Sequence, residues 1–421
     1  MTVSPESPLA EALEASRPIH EAFAAAGHRL FLVGGVVRDD LADRARTDAD
    51  YDLTTDARPE VIKTLVAPFA EAIWAQGEKF GTIGATVAGR DFEITTHRAD
   101  EYDRSSRKPV VVFGDNVNDD LARRDFTVNA MAVDCADGVL IDPFGGAEDL
   151  AAGVLRTPLA PDISFSDDPL RMLRAARFIA TFGFAAVPEL DAAVGEMGDR
   201  MAIVSVERVR DELTKLLLLP DLAPGFAFLV NTRLLVHVLP GVAAADVDVL
   251  GATRRAVRAA TDPASRWAAL LLDLSATDRL SELARLKPSG NLTATVAWLG
   301  SADRWLTATY PSDRPSLRRA AAAAPTDEPL ESLLTFLAAV RPPEHSSGDI
   351  EAARSELAAL RATEPDLDSP DLPIDGLTIA AILGVEPGPA VGQAVARLRE
   401  HRFDHGPFNA DVAAALLQAD A

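Results

Sequence analysis

Apolar residues recur at helical spacing over residues 8–27, an Ala- and Glu-rich segment, and the pattern then tightens into a short strand-like run from Arg29 to Val33. Through the first 150 residues the two periods alternate. "DYDLTTD", "AIWAQ", "TIGATVAGRDFEITTHR" and "NAMAVDCADGVLIDP" read as strands, the third as two strands about a Gly89-Arg90 turn; "VVRDDLAD", "PEVIKTLVAPF" and "NDDLARRDF" read as helices. This predicts a mixed sheet with helices on one side. The stretch from Arg98 to Pro109, "RADEYDRSSRKP", is polar, charged and poor in apolar anchors, which predicts a mobile loop.

From about Ser164 the strand pattern almost vanishes, and Ala/Leu-rich helical spacing runs on, broken by Pro and Gly at 220–225, 239–241, 311–315, 342–348 and 364–374. The fold class is therefore α+β, a sheet-bearing N-terminal region followed by helices alone. With 421 residues, 48% of them hydrophobic, the chain can bury a large core and is too long for one compact unit, so two to four domains are expected.

Composition narrows the function classes. One cysteine, Cys135, excludes an internal disulfide framework, and no Cys/His cluster has zinc spacing, so a reducing compartment, the cytoplasm, is the simplest expectation. The N-terminal segment lacks a basic region followed by an apolar core, and no apolar run has membrane-spanning length. The net charge of −23 would repel RNA or DNA if spread evenly, so a nucleic-acid partner requires a local cationic cleft.

Four fragments carry candidate chemistry. In "LFLVGGVVRDD", Gly34-Gly35 after a strand allows close backbone approach, amides at the start of the next helix face a ligand, and Arg38 projects from its first turn: an anion cradle in outline. Alone, such a turn with a surface arginine is more often just a turn. In "DADYDL", Asp50 and Asp52 stand at i and i+2 of a strand and point the same way. Two adjacent carboxylates repel unless cations lie between them, and magnesium is the natural partner; the bland alternative is a solvated acidic loop, which suits Asp48 better. In "DDLARRDFTVNAMA", Arg123, Arg124 and Asp125 end a helix before a strand, as a phosphate-binding arginine or an ordinary charged helix end.

In "SFSDDPLRMLRAARF", Ser166 or Asp167 can cap a helix whose first turn holds Pro169, after which Asp168, Arg171, Arg174 and Arg177 recur every three residues on one broad face. An aspartate beside an arginine can accept from an exocyclic amine and donate to a ring nitrogen, the pattern of cytosine and adenine but not of uracil or guanine. An isolated Asp-x-x-Arg is otherwise an ordinary surface ion pair.

Together with "FEITTHR", "IDPFGGAEDL" and "VSVERVRDELTKLL", these fragments closely resemble the class II tRNA nucleotidyltransferases, the CCA-adding enzymes, and the related bacterial poly(A) polymerases, over residues 30 to about 220. The resemblance implies a head domain of the polymerase beta superfamily over residues 1–160, a helical neck with a nucleotide-selecting helix over 161–225, a helical body over 226–325 and a tail over 326–421 that holds the tRNA elbow. It implies template-independent transfer from CTP and ATP to the 3′ end of tRNA, with Asp50 and Asp52 catalytic and holding Mg2+. Gly34, Gly35, Arg38, Arg124, Asp168, Arg171, Arg174 and Arg177 would bind the nucleotide, Asp168 and Arg171 reading the base. Glu93 is a supporting carboxylate or equally a structural strand-end residue.

The chain departs from the family in reading Asp167-Asp168 where Glu-Asp is frequent, and in lacking any His-Asp dipeptide in the body, so no metal phosphohydrolase site is expected there. His97 and His237 read as structural. The partners implied are tRNA, through acceptor stem and elbow, with CTP and ATP; no membrane and no obligatory protein partner are implied. A poly(A) polymerase or a CC- or A-adding enzyme shares these residues; a non-catalytic RNA-binding relic is the alternative from another class, and against it Arg38, Asp50, Asp52, Arg124, Asp168 and Arg171 are all present together.

Overall fold

In a computed structural model of the protein, residues 7–44, 50–99, 112–245, 248–259, 262–301, 313–325, 330–340 and 347–419 are described. Asp48 and residues 100–109 of the anticipated loop lie outside them. Two compact units result: Met1–Glu212 with Ala227–Val238, and Leu213–Phe226 with Leu239–Ala421.

The first unit is built on a seven-stranded sheet. Its strands are β1 (Leu30–Val33), β2 (Tyr51–Thr55), β3 (Ala72–Trp74), β4 (Thr82–Val87) and β5 (Arg90–Thr96), and, after the short pair β6 (Arg98–Ala99) and β7 (Val112–Phe113), β8 (Ala132–Asp134) and β9 (Leu140–Ile141). The order across the sheet is β3-β4-β5-β2-β1-β8-β9. Only β2 and β5 run parallel; the other neighbours are antiparallel, so the sheet is mixed. The hairpin expected about Gly89-Arg90 is present but turns one residue earlier: Ala88 and Gly89 both take positive φ, the twist a two-residue turn requires, and Arg90 already pairs with Val87.

Strand alternation divides the sheet into two faces. Leu30, Leu32, Tyr51, Leu53, Ile83, Phe92 and Ile94 pack under α1 (Pro8–Ala25) and α3 (Pro59–Val66), with Ile19, Phe23, Ile62 and Val66 buried against them. On the opposite face, Phe31, Val33 and Ala132 meet Val117 and Leu121 of α4 (Val117–Ala122). Helices therefore lie on both faces, not on one. Among the described residues, Asp52 of β2 and Glu93 of β5 are exposed on this second face, whereas Thr54 further along β2 is buried.

Between sheet and helical region, α5 (Gly146–Ala152) leads to β10 (Val154–Leu155), which pairs in parallel with β11 (Ala185–Ala186). The segment around Ser166 differs from expectation. A separate helix α6 (Pro161–Asp167) ends there, Asp168 is extended, and α7 (Leu170–Phe182) starts two residues later. Pro169 enforces the break, because the residue before a proline avoids helical backbone. After α8 (Pro188–Met197), α9 (Val206–Leu217) follows.

The second unit contains only helices among its described residues. Trp267 is buried and donates to Thr214 Oγ1 at 3.1 Å. Arg318 and Arg402 enclose the carboxylate of Glu364, at 2.8 and 2.6 Å, and hold it below the usual range although its burial acts the other way.

Candidate active site

Asp50 immediately precedes β2 and Asp52 is its second residue, with Tyr51 and Leu53 directed into the core. Asp52 therefore faces outward. On the parallel neighbour β5 its register partner is Glu93, the fourth of seven residues, and paired residues of adjacent strands share a face. Glu93 is thus mid-strand rather than at a strand end. Its carboxyl is pushed above the ordinary range, first by desolvation and then by the negative charges of Asp52 and Asp50. A divalent cation beside Asp52 would relieve that repulsion. Among the described residues no three His, Cys, Asp or Glu side chains are grouped so as to hold a metal ion by themselves. A hard cation here would draw further oxygens from substrate and water.

Thr54, two residues beyond Asp52 on the same face, shares a hydrogen bond with His97 Nδ1 at 2.8 Å. Burial lowers the basicity of that imidazole. His97 thus props the strand as a neutral group, which agrees with the structural role read from the sequence.

Gly34 caps α2 (Gly35–Leu41) with φ +74°. A Cβ there would approach Arg124 Nη1 to 3.2 Å and Asp52 Oδ2 to 3.4 Å. The glycine is needed for its backbone and for the space above it. Arg38 falls in the last turn of this short helix, not the first. Its Nε donates to Asp39 at 2.8 Å, its Nη1 to Asn129 Oδ1 at 2.6 Å, and its guanidinium lies 4.6 Å from the centre of the Phe182 ring.

Asn129 passes this order on, donating to Asp125 Oδ1 at 2.8 Å, while Arg174 holds Asp125 Oδ2 through Nε at 2.9 Å and Nη2 at 2.6 Å. Asp125 is buried, which alone would raise its pKa; Arg174 and Asn129 outweigh this and keep the carboxyl below the ordinary range. Arg38, Asn129, Asp125 and Arg174 form one polar chain from α2 to α7. Arg174 is in this way a strut behind the site. Arg177 is likewise committed, to Glu212 at 2.5 Å.

Helix α4 ends at Ala122, one turn earlier than the sequence pattern indicated, and Arg123 is its cap; a single 3-10 turn, Thr127–Asn129, intervenes before β8. Arg124 donates to Asp120 at 3.4 Å. Arg171 Nη1 donates to Ser164 Oγ at 2.9 Å and its Nη2 to the Arg123 carbonyl. Asp168 does not pair with Arg171. It accepts instead from Arg208 of α9, at 2.7 and 3.2 Å.

An open cleft of about 280 Å³ joins these elements, lined by Asp52, Arg98, Asp120, Arg123, Arg124 and Arg171 among others. Four arginines against Asp52 and Asp120 make this cleft locally cationic in a chain of strongly negative net charge. Asp52, Arg124 and Arg171, distant in sequence, meet here; Gly34 stands against the first two, whereas Arg38, Asp168, Arg174 and Arg177 do not line the cleft. Sequence reasoning missed Arg98, Asp120 and Arg208 as participants. Arg208 lies in "VSVERVRDELTKLL", but its partner is 40 residues away and only the fold joins them.

Residues 30–156 match the family model of the poly A polymerase head domain, and residues 183–246 match that of a probable RNA and SrmB-binding site of polymerase A. The CCA-adding enzyme of Geobacillus kaustophilus is 39% identical over 219 residues, 52% of each chain. That of Bacillus subtilis is 35% identical over 258 residues, 61% of this chain and 63% of its own. The matched region spans about half to three fifths of these curated relatives. The crystal structure of the Bacillus stearothermophilus CCA-adding enzyme in complex with CTP superposes over 97% of both chains, with TM-score 0.73 and 25% identity. The Thermotoga maritima CCA-adding enzyme complexed with tRNA shares the fold over 98% of both chains, with TM-score 0.61 and 20% identity. Among the described residues no helix is long and apolar enough to cross a membrane. Residues 30–156 thus match the poly A polymerase head domain and residues 183–246 the probable RNA and SrmB-binding site of polymerase A, and across nearly its whole length the chain has the fold of the CCA-adding enzymes.

Proposed function

We propose that the protein is a CTP/ATP:tRNA nucleotidyltransferase that builds or repairs the 3′-terminal CCA of tRNA without a nucleic-acid template. One observation carries this reading: Asp52, Arg124 and Arg171 line one cleft, with Glu93 beside Asp52 on the neighbouring strand. In the reaction the tRNA 3′-oxygen forms a bond to the nucleotide α phosphorus, the bond to the bridging oxygen breaks, and pyrophosphate leaves while the hydroxyl proton passes to solvent.

Phosphoryl transfer of this kind is mainly positioning and charge stabilisation. Arg124 and Arg171 hold the triphosphate and base ends of the nucleotide, Gly34 and Gly35 let the backbone approach it, and Arg38 and Arg174 fix the wall behind. Arg177 braces the same helix, and Asp168 with Arg171 reads the base. Asp50 and Asp52 hold magnesium, which when bound supplies positive charge to the attacking hydroxyl and the departing pyrophosphate. The head, neck, body and tail divide at about residues 160, 225 and 325, the tail receiving the tRNA elbow, and the protein works in the cytoplasm.

Titration calorimetry with CTP, ATP, UTP and GTP in the presence of magnesium tests the site. Binding of CTP and ATP that weakens strongly in Arg124→Ala is expected. A wild-type protein that binds no triphosphate would mark the relic alternative.

A further inference from the structure

Along the same sheet face, on the side of β3 and β4, a second cleft of about 330 Å³ opens beside Glu93. Its walls include Trp74, Phe80, Thr82 and Gln76, and Arg98 lines this cleft and the arginine cleft alike. The row formed by Asp52 and Glu93 therefore lies between two openings of different chemistry. One is rich in guanidinium groups; the other sets two aromatic rings, Trp74 and Phe80, among polar side chains.

The aromatic wall is specifically built. Trp74 is the register partner of Gly84, and a Cβ at Gly84 would fall 1.9 to 2.5 Å from indole atoms. The indole thus lies against the strand where only glycine leaves room. Phe80, at the end of the 3-10 turn Glu78–Phe80, keeps 49% of its surface exposed, and Lys79 Nζ stands 4.8 Å from the centre of its ring. Nothing in nucleotide binding, as derived above, uses Trp74, Phe80 or Lys79.

In-line displacement places attacking and leaving oxygens on opposite sides of the phosphorus. If the arginine cleft holds the triphosphate, the attacking 3′-oxygen must approach from the other side of the carboxylate row. That is where the second cleft lies. Every base has a π-face, so aromatic side chains hold single-stranded ends with little regard to sequence. Such tolerance suits a terminal base that changes with each nucleotide added.

We propose that the Trp74–Phe80 cleft is the subsite for the terminal nucleoside of the single-stranded RNA 3′ end undergoing extension, with its base on the aromatic wall and its phosphate toward Lys79 and Arg98. The proposal rests on the nucleotidyltransferase reading given above.

The test uses the full chain, tRNA transcripts ending before CCA, and a synthetic acceptor-stem hairpin with 2-aminopurine as its 3′-terminal base. Phe80 is half exposed, so Phe80→Ala should fold normally, and Phe80→Tyr keeps the ring. The expected result is an acceptor KM raised about tenfold or more in Phe80→Ala, with CTP binding unchanged, 2-aminopurine quenching lost, and both restored in Phe80→Tyr. A wild type that extends tRNA while Phe80→Ala keeps its acceptor KM and its quenching overturns the subsite alone. No extension and no hairpin binding by the wild type overturns the function and the subsite with it.

Discussion

Asp168 and Arg208 form a two-pronged ion pair, at 2.7 and 3.2 Å, that joins the break between α6 and α7 to a helix 40 residues further on. The pair holds the carboxylate apart from Arg171, whose guanidinium is anchored separately on Ser164. The two residues proposed to read the base are thus anchored on separate partners. Arg208→Ala should leave the fold intact, since the pair is partly solvent-exposed and such pairs contribute little to stability. It should lower selection for CTP over UTP by roughly tenfold, about 1.4 kcal/mol. Ratios of kcat/KM for the two nucleotides decide the matter, and an unchanged ratio removes Arg208 from base selection.

Asp168→Ala should relax selection further, because it deletes the acceptor itself. Competition of CTP and ATP with UTP and GTP measures this, and undiminished rejection of UTP and GTP sinks the reading role of Asp168.

The carboxylates and the glycine turn were legible because they depend on local geometry. Alternation in a strand sets Asp52 on the face opposite Tyr51 and Leu53 whatever surrounds it, and Gly34 announces a left-handed turn. The β4–β5 hairpin was legible through Gly89 for the same reason. The partners of Asp168, Arg171 and Arg174 were not. Each is fixed by a contact across the fold, to Arg208, to the Arg123 carbonyl and to Asp125, and helical spacing alone suggested one common face. Helix α6 escaped notice because "PDISFSD" is too short to show a period.

Gly34→Ala should damage both fold and chemistry. Its positive φ disfavours any side chain by about 1–2 kcal/mol, and the added methyl would press on Arg124 and Asp52. The expected result is a lowered melting temperature and a raised KM for CTP. A variant equal to wild type in both contradicts the cradle.

The Asp125–Arg174 pair makes a pH prediction. The folded-state pKa of Asp125 lies below its ordinary value of 3.8. Its stabilisation is therefore fully present above that unfolded value and is lost as pH falls through the lower folded one. Asp125→Asn removes the charge partner of the partly exposed Arg174 guanidinium and should cost about 1–3 kcal/mol at neutral pH. The deficit relative to wild type should shrink only below the ordinary carboxylate value, a change that denaturant melts taken from pH 7 down to about pH 2 would register. A deficit that is constant with pH rules out an ionised pair.

Glu93 has the opposite sign. Its folded pKa is raised, so ionising it destabilises the metal-free fold as pH rises above the ordinary carboxylate value. Carboxyl-carbon NMR should find it titrating high without divalent cations and lower when magnesium is added. A titration indifferent to magnesium places the cation elsewhere.

Magnesium-dependent extension of tRNA transcripts ending before CCA, after C and after CC decides whether the proposed reaction takes place. Each is supplied with CTP, ATP or both and resolved to single nucleotides, with Asp50→Ala and Asp52→Ala alongside. Growth that uses both nucleotides, stops after the terminal A and disappears in either variant while tRNA binding persists is the predicted result. Long A tails, addition of one nucleotide type only, or no growth by the wild type contradict it.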